Sequence, residues 1–247
     1  MPETKTLTGK SALIAGGGTG IGAACAIALA EAGCRVAVAG RREQPLLEMA
    51  GRFKGEPAIL THAADIGNRE DVAQLFEWAD AELGAIDIFI NSAGVNVPKR
   101  SMEELAPEDW DHILGVNVTG AYDCMRAVLP QMRERQDGLI VNINSIAGIR
   151  GSVLGGVAYS AAKFAMTALG RTVAIEEKDR GIRVTNIYPG EVETPILENR
   201  PVPVSKEHRA RILQPEDVAA AVLMIACLPP RAHISDLVIK PTTQPHS

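Results

Sequence analysis

Short apolar runs alternate with stretches of helical periodicity along the chain. The runs at Ser11–Ala15, Arg35–Ala39, 57–63, 86–91, Gly138–Ile143, 182–188 and 234–240 are rich in Ile, Val, Leu and Ala and are bounded by glycine, proline or polar residues. That pattern predicts buried β-strands. Between them, apolar positions recur at three- and four-residue spacing near 19–32, 43–53, 68–83, 107–133, 159–178 and 215–227, which predicts helices. Pro107 with Glu108 and Asp109, and Pro215 with Glu216 and Asp217, mark two helix starts. Proline sacrifices no hydrogen bond in a first turn, and acids favour the positive end of the helix dipole. Strands alternating with helices imply right-handed βαβ units, hence a parallel sheet covered on both faces. No linker-like stretch divides the 247 residues. The expected fold is therefore α/β, a single-domain doubly wound parallel sheet of about seven strands spanning 1–247.

The first strand and helix are joined by "GGGTGIG", containing Gly16, Gly17, Gly18, Gly20 and Gly22. A strand-to-helix turn of this kind aims unpaired N–H groups and a partial positive charge at whatever fills the crevice. Glycine lets the backbone approach a ligand and lets the helix pack on the strand. The turn is thus a candidate phosphate cradle, with a tight structural turn as the plain alternative. Ser11 to Ala30 carries no charge, but the glycines and Thr19 split it, so neither a membrane span nor a signal peptide is expected.

Composition narrows the function classes. A net charge of -5 and 4% aromatic residues disfavour a nucleic-acid surface. Cys25, Cys34, Cys124 and Cys227 include no C-x-x-C pair and lie mostly in apolar segments, as in a reducing, cytoplasmic setting. The five histidines lack metal-ligand spacing, so no metal is expected.

In an open parallel sheet the ligand sits beyond the carboxyl ends of the strands. Those ends read "GGGTGIG", "GRR", "AADI", "NSAG", "INSIAG" and "YPGEVETP". After the fifth strand, Tyr159 and Lys163 stand four apart on one helix face. A phenol has a pKa of about 10; a neighbouring ammonium lowers it toward the range of a general acid/base. Ser145, at a strand end, is placed to hydrogen-bond a substrate oxygen or simply to cap the strand. At the end of the second strand, Gly40 stands where NAD-binding relatives of the fold carry an acid for the ribose. Arg41 and Arg42 follow, two guanidiniums able to clamp a 2′-phosphate, which predicts NADP(H) over NAD(H).

Gly16-x-x-x-Gly20-Ile-Gly22, Asn91-Ser-Ala-Gly94, Asn117, Ser145, Tyr159-x-x-x-Lys163 and Pro189-Gly190 occur in order and with matching spacing. In these motifs, over nearly the whole chain, the sequence resembles the short-chain dehydrogenase/reductase family. The resemblance implies a Rossmann sheet of order 3-2-1-4-5-6-7 and hydride transfer between nicotinamide and a carbonyl or alcohol carbon. It implies that Tyr159 donates the proton, Ser145 polarises the carbonyl, Lys163 lowers the Tyr159 pKa and holds the ribose, and Asn117 positions a relay water. It places Gly16, Gly18, Thr19, Gly20, Ile21 and Gly22 at the phosphates, Asp65 and Ile66 at the adenine, and Asn91, Ala93 and Gly94 along the cofactor. Ile187, Pro189, Gly190, Val192 and Thr194 would hold the nicotinamide end, and a segment near 191–213 would cover the substrate.

Two positions depart from the pattern: Ala15 replaces the usual Thr before the glycines, and Ser92 the second Asn of N-N-A-G. The usual hydroxyl and amide help tie the first strand to the fourth, so a re-made contact is expected. The ending "ISDLVIKPTTQ" lacks the family's common glycine-rich close and is more similar to NADP-dependent hydroxy-acid and short-chain alcohol dehydrogenases. A small anionic substrate is expected from Lys99, Arg100, Arg150, Arg200, Arg209 and Arg211 around the site, a solvated basic surface being the alternative. The resemblance also implies a homotetramer or homodimer. A non-catalytic cofactor-binding regulator is the competing class, and the complete Asn117–Ser145–Tyr159–Lys163 set argues against it.

Overall fold

In the computed structural model, which describes residues 6–244, the expected alternation of strands and helices is present. The remaining residues of the expected 1–247 span lie outside the described ones. The strands are β1 Ser11–Ala15, β2 Arg35–Gly40, β3 Leu60–Ala63, β4 Ile88–Asn91, β5 Gly138–Ile143, β6 Ile182–Pro189 and β7 Asp236–Ile239. All neighbouring pairs are parallel, in the order β3-β2-β1-β4-β5-β6-β7. The reversal between β1 and β4 opens the crevice that such a sheet offers a ligand.

Helices α1 Gly20–Glu31, α2 Glu43–Ala50 and α8 Pro215–Ala226 pack on one face, with Ile14, Ile90, Val141 and Ile187 beneath them. The other face carries α3 Arg69–Leu83, α5 Ala121–Arg135 and α6 Val157–Glu177 over Leu13, Phe89, Ile140 and Val184. Helix α4 Pro107–Leu114 rests Ile113 on Ala158 and Ala162 of α6. A short helix, α7 Lys206–Arg209, precedes α8. Alternating strand residues feed these two apolar layers, whose burial supplies the main driving force. The α8 start carries the expected signals, with a reciprocal Gln214–Asp217 capping box.

The expected helix over 107–133 is interrupted: between α4 and α5 the backbone runs through a π-helical turn, Gly115–Gly120. The apolar spacing on either side conceals the one-residue irregularity. Strand β4 begins two residues later than its apolar run, because Ile86 is diverted. Its N–H donates to Gln131 Oε1 at 2.8 Å and its carbonyl accepts from Arg135 at 2.8 Å, both from α5. Strand β3 likewise starts at Leu60, after Pro57, which has no N–H to give a ladder.

Ala15, Asn91, Asn142 and Asn186 are in register across β1, β4, β5 and β6, on the α6 face. Asn142 Nδ2 donates to Asn186 Oδ1 at 3.2 Å, and Gly170 of α6 lies directly over the pair. A Cβ on Gly170 would run into Asn186 Oδ1 and come within 2.9 Å of Asn142 Nδ2. Gly170→Val would recover less than about 1 kcal/mol of helix propensity. Overpacking costs about 1–3 kcal/mol, so the variant should be less stable. At about 2–4 °C per kcal/mol for a chain this size, its melting temperature should fall by several degrees; an unchanged melting curve would refute this account.

Candidate active site

The carboxyl ends of the strands open onto a cleft of about 560 Å³. The β1–α1 turn forms one end. Gly16 has φ of +79°, and a Cβ there would lie 2.5 Å from the Ala93 nitrogen, so the turn packs directly against the loop after β4. Gly22 sits beneath it, where a Cβ would run into the Gly16 carbonyl. Gly18, Thr19, Gly20 and Ile21 line the cleft above. Ser92 N donates to Ala15 O at 2.9 Å, continuing the main-chain ladder between the first and fourth strands independently of the side chains at those two positions.

Arg41 and Arg42 continue from β2 to the same cleft. Both are exposed, and neither forms an ion pair with another described residue. Asp65 and Ile66 line the wall after β3, with Asp65 Oδ1 accepting from Gly67 N at 2.9 Å. Ala93, Gly94 and Thr194 complete the predicted positions on this wall, and Val95, Asn96, Ile196 and Asn199 join them unforeseen.

Tyr159 and Lys163 stand at the other end. Tyr159 is the third residue of α6 and is half-buried. Burial raises its pKa, while a hydrogen bond from the Ser145 hydroxyl and the charge of Arg100 pull it back. Ser145 leads a short 3₁₀ turn after β5, its Oγ accepting from Ala147 N at 3.1 Å. Lys163 is 3% exposed, and burial pushes its ammonium down to about 8. Its Nζ donates to the Ile143 carbonyl at 3.1 Å and lies 5.5 Å from the centroid of the Tyr159 ring. The lysine therefore sits by the ring, and the described cation that lowers the phenol is Arg100.

Asn117 is buried in the π turn. Its side chain clamps the Val95 backbone, accepting from N at 2.8 Å and donating to O at 3.0 Å. The side chain is thereby committed to the Val95 backbone.

Several predicted cofactor positions lie away from the cleft wall. Asn91 is buried in the asparagine row, and Gly22 supports the turn from below. Pro189 ends β6 beside Ile239, and Gly190 N donates to Ile239 O at 2.7 Å. The segment after β7 covers that glycine: a Cβ on it would lie 2.9 Å from Lys240 and Pro241. Ile187 is in the core, and Val192 is buried and bridged to Leu213. The cations expected to meet a substrate anion are mostly engaged. Arg200 and His208 share Glu191, Arg209 pairs with Glu193, and Arg100 is spent on backbone carbonyls. Lys99 and Arg211 are exposed, and Arg150 has an interaction of its own.

A doubly wound parallel sheet with a glycine turn at its switch point, facing a Tyr–Lys pair across one cleft, defines a dinucleotide-binding α/β protein. The chain belongs to the short-chain dehydrogenase family, whose model matches residues 10–203, and is an oxidoreductase of that family. It is 32% identical over 235 residues to an uncharacterised oxidoreductase of Staphylococcus aureus, covering 95% of this chain and 98% of that one. Among solved structures it is similar to a 3-ketoacyl-(acyl-carrier-protein) reductase from Brucella melitensis complexed with NADH. That match has a TM-score of 0.85 and 32% identity, covering 95% and 98% of the two chains. It is also similar to an alcohol dehydrogenase from the archaeon Thermococcus sibiricus complexed with 5-hydroxy-NADP, with a TM-score of 0.86 and 27% identity over 96% and 99%.

Proposed function

We propose that the protein is an NADP(H)-dependent reductase of carbonyl compounds, or in the opposite direction a dehydrogenase of secondary alcohols. The observation that carries this reading is the Ser145–Tyr159 hydrogen bond beside buried Lys163, with Tyr159 and Lys163 in one cleft with Arg41 and Arg42, which form no ion pair among the described residues. The glycine turn leaves the close approach that a pyrophosphate needs. Gly18 to Ile21 would cradle it, Asp65 and Ile66 would border the adenine, and Thr194 would lie toward the nicotinamide. When bound, the reduced nicotinamide supplies the hydride that goes to the carbonyl carbon. Tyr159 gives its phenol proton to the carbonyl oxygen, to which Ser145 donates a hydrogen bond. Lys163 steadies the phenolate and hydrogen-bonds the ribose, and Asn117 holds the backbone behind them.

The ion pairs of Arg200 and Arg209 with Glu191 and Glu193 leave that segment nearly charge-balanced. They support a neutral carbonyl substrate over the anionic one that the sequence suggests. Residues near 191–213 serve as its cover within a single domain. A homotetramer or homodimer is supported by exposed Trp110, Tyr122, Phe164 and Ile175 on α4 to α6. A cytoplasmic location is supported by four free cysteines. No helix among the described residues is long and apolar enough to cross a membrane.

Lys163 is charged below its pKa and neutral above it. Reduction, measured as kcat/KM, should fall as pH rises through about 8, because that parameter reports groups of the free enzyme. A profile flat through that region would count against the lysine. The reading itself is tested by following NADPH absorbance over a panel of neutral ketones and keto-acids. Turnover led by neutral ketones supports it, turnover led by keto-acids restores the anionic substrate, and binding without turnover favours the non-catalytic regulator.

A further inference from the structure

Arg100 lies on the loop after β4 and is 7% exposed. Its guanidinium is spent on three backbone carbonyls from three separate segments. Nε donates to Val97 O at 2.8 Å, Nη1 to Leu154 O at 3.0 Å, and Nη2 to Asn199 O. No carboxylate among the described residues pairs with it. The Arg100 carbonyl accepts from Val157 N at 3.1 Å, the first residue of α6. Gly156, just before, has φ of +82°, and a Cβ there would stand 2.6 Å from Arg100 Cβ. The arginine stem thus runs against the turn that launches α6. Asn96 and Asn199 reinforce the junction: Asn96 Nδ2 donates to Gly155 O at 3.0 Å, and Asn199 Nδ2 to Asn96 O at 3.1 Å.

We propose that Arg100 is a positioning residue of the reaction centre, which fixes the first turn of α6, and so Tyr159, against the segment carrying Asn199. The inference rests on the reading of Tyr159 as the acid. A buried cation with no acid to neutralise it acts on a nearby phenol through a medium less screening than water. Among the described residues, the Ser145 hydroxyl and Arg100 act on the phenol, the Lys163 ammonium lies 5.5 Å from the centre of its ring, and Arg200, held by Glu191, acts on Arg100. Lysine loses its charge as pH rises; a guanidinium keeps its own. The centre accordingly holds one titrating cation and one permanent one.

The test is a phenolate absorbance titration of the full chain and of its Arg100→Met and Arg100→Lys variants. In each background a Tyr159→Phe chain is subtracted, to remove the signals of Tyr122 and Tyr188. Arg100→Met should move the Tyr159 titration up by about one pH unit or more. Arg100→Lys, which keeps a charge but not the fork, should bring it most of the way back. Should the Met variant not fold, the Lys variant decides, since its titration must stay close to wild type. Equal titrations in the wild-type and Met chains overturn the proposal. So does a Lys variant displaced as far as the Met one, or a wild-type phenol that stays protonated until the chain unfolds in alkali. No substrate is needed, so the readout is independent of the carbonyl panel. A shift without turnover faults the proposed activity alone, and turnover without a shift faults Arg100 alone.

Discussion

Tyr159→Phe should abolish carbonyl reduction while leaving NADPH affinity nearly unchanged. The substitution removes one hydroxyl and little volume, from a ring that lines the cleft at the end opposite Arg41 and Arg42. The Ser145 hydroxyl survives and can still polarise a carbonyl, so what is lost is the proton. General acid catalysis is worth about 10²–10⁴-fold, and more where groups act as a unit. The check is kcat with whichever ketone the wild-type enzyme turns over best, alongside a fluorescence titration with NADPH. A Phe variant within about tenfold of wild type would mean that Tyr159 is not the acid. A large loss of NADPH affinity would mean that it acts chiefly in binding.

Replacing Arg41 with Ala should weaken NADPH binding and leave NADH binding almost untouched. Gly40 removes the carboxylate that would repel a 2′-phosphate. Arg41 and Arg42 stand exposed at the cleft and form no ion pair among the described residues, so no described bond must break before they bind. A hydrogen bond to a charged group contributes about 1.5–3 kcal/mol. At 1.4 kcal/mol per decade this predicts roughly a tenfold to hundredfold preference for NADPH in the wild type. The variant should lose most of it. Equal wild-type affinities for the two nucleotides, or an Arg41→Ala chain that binds NADPH as before, would overturn the assignment.

What is legible in the sequence follows from local physics. Strands β1 and β5 match their expected bounds because each is a short apolar run stopped by glycine or polar residues. The glycine turn and the Tyr159–Lys163 spacing were legible because backbone approach and helix faces are set within a few residues. Long-range contacts were not legible. Arg100 reads locally as a rim cation after "NSAG", and only the approach of Leu154 and Asn199 makes it a buried clamp. Gly190 and Val192 follow a motif that suggests the cofactor, yet partners near 240 and at Leu213 cover them. Gln131 and Arg135 draw Ile86 off its strand from a helix more than forty residues later. Side chains spent across such distances leave no periodic trace.

The π turn at Gly115–Gly120 carries a consequence for how the gene tolerates change in length. A π turn is an α-helix holding one residue too many. Loss of a single codon within it would let α4 and α5 fuse into one regular helix, with no hydrogen bond of the ladder sacrificed. The flanking helices would keep nearly their present orientation, because the wider turn already absorbs the extra residue, and Ile113 would keep its seat on Ala158 and Ala162. What would be lost is the bulged backbone that carries Asn117, and with it the clamp on Val95. The extra residue is therefore a length constraint in the middle of a helix, where deletions otherwise look harmless.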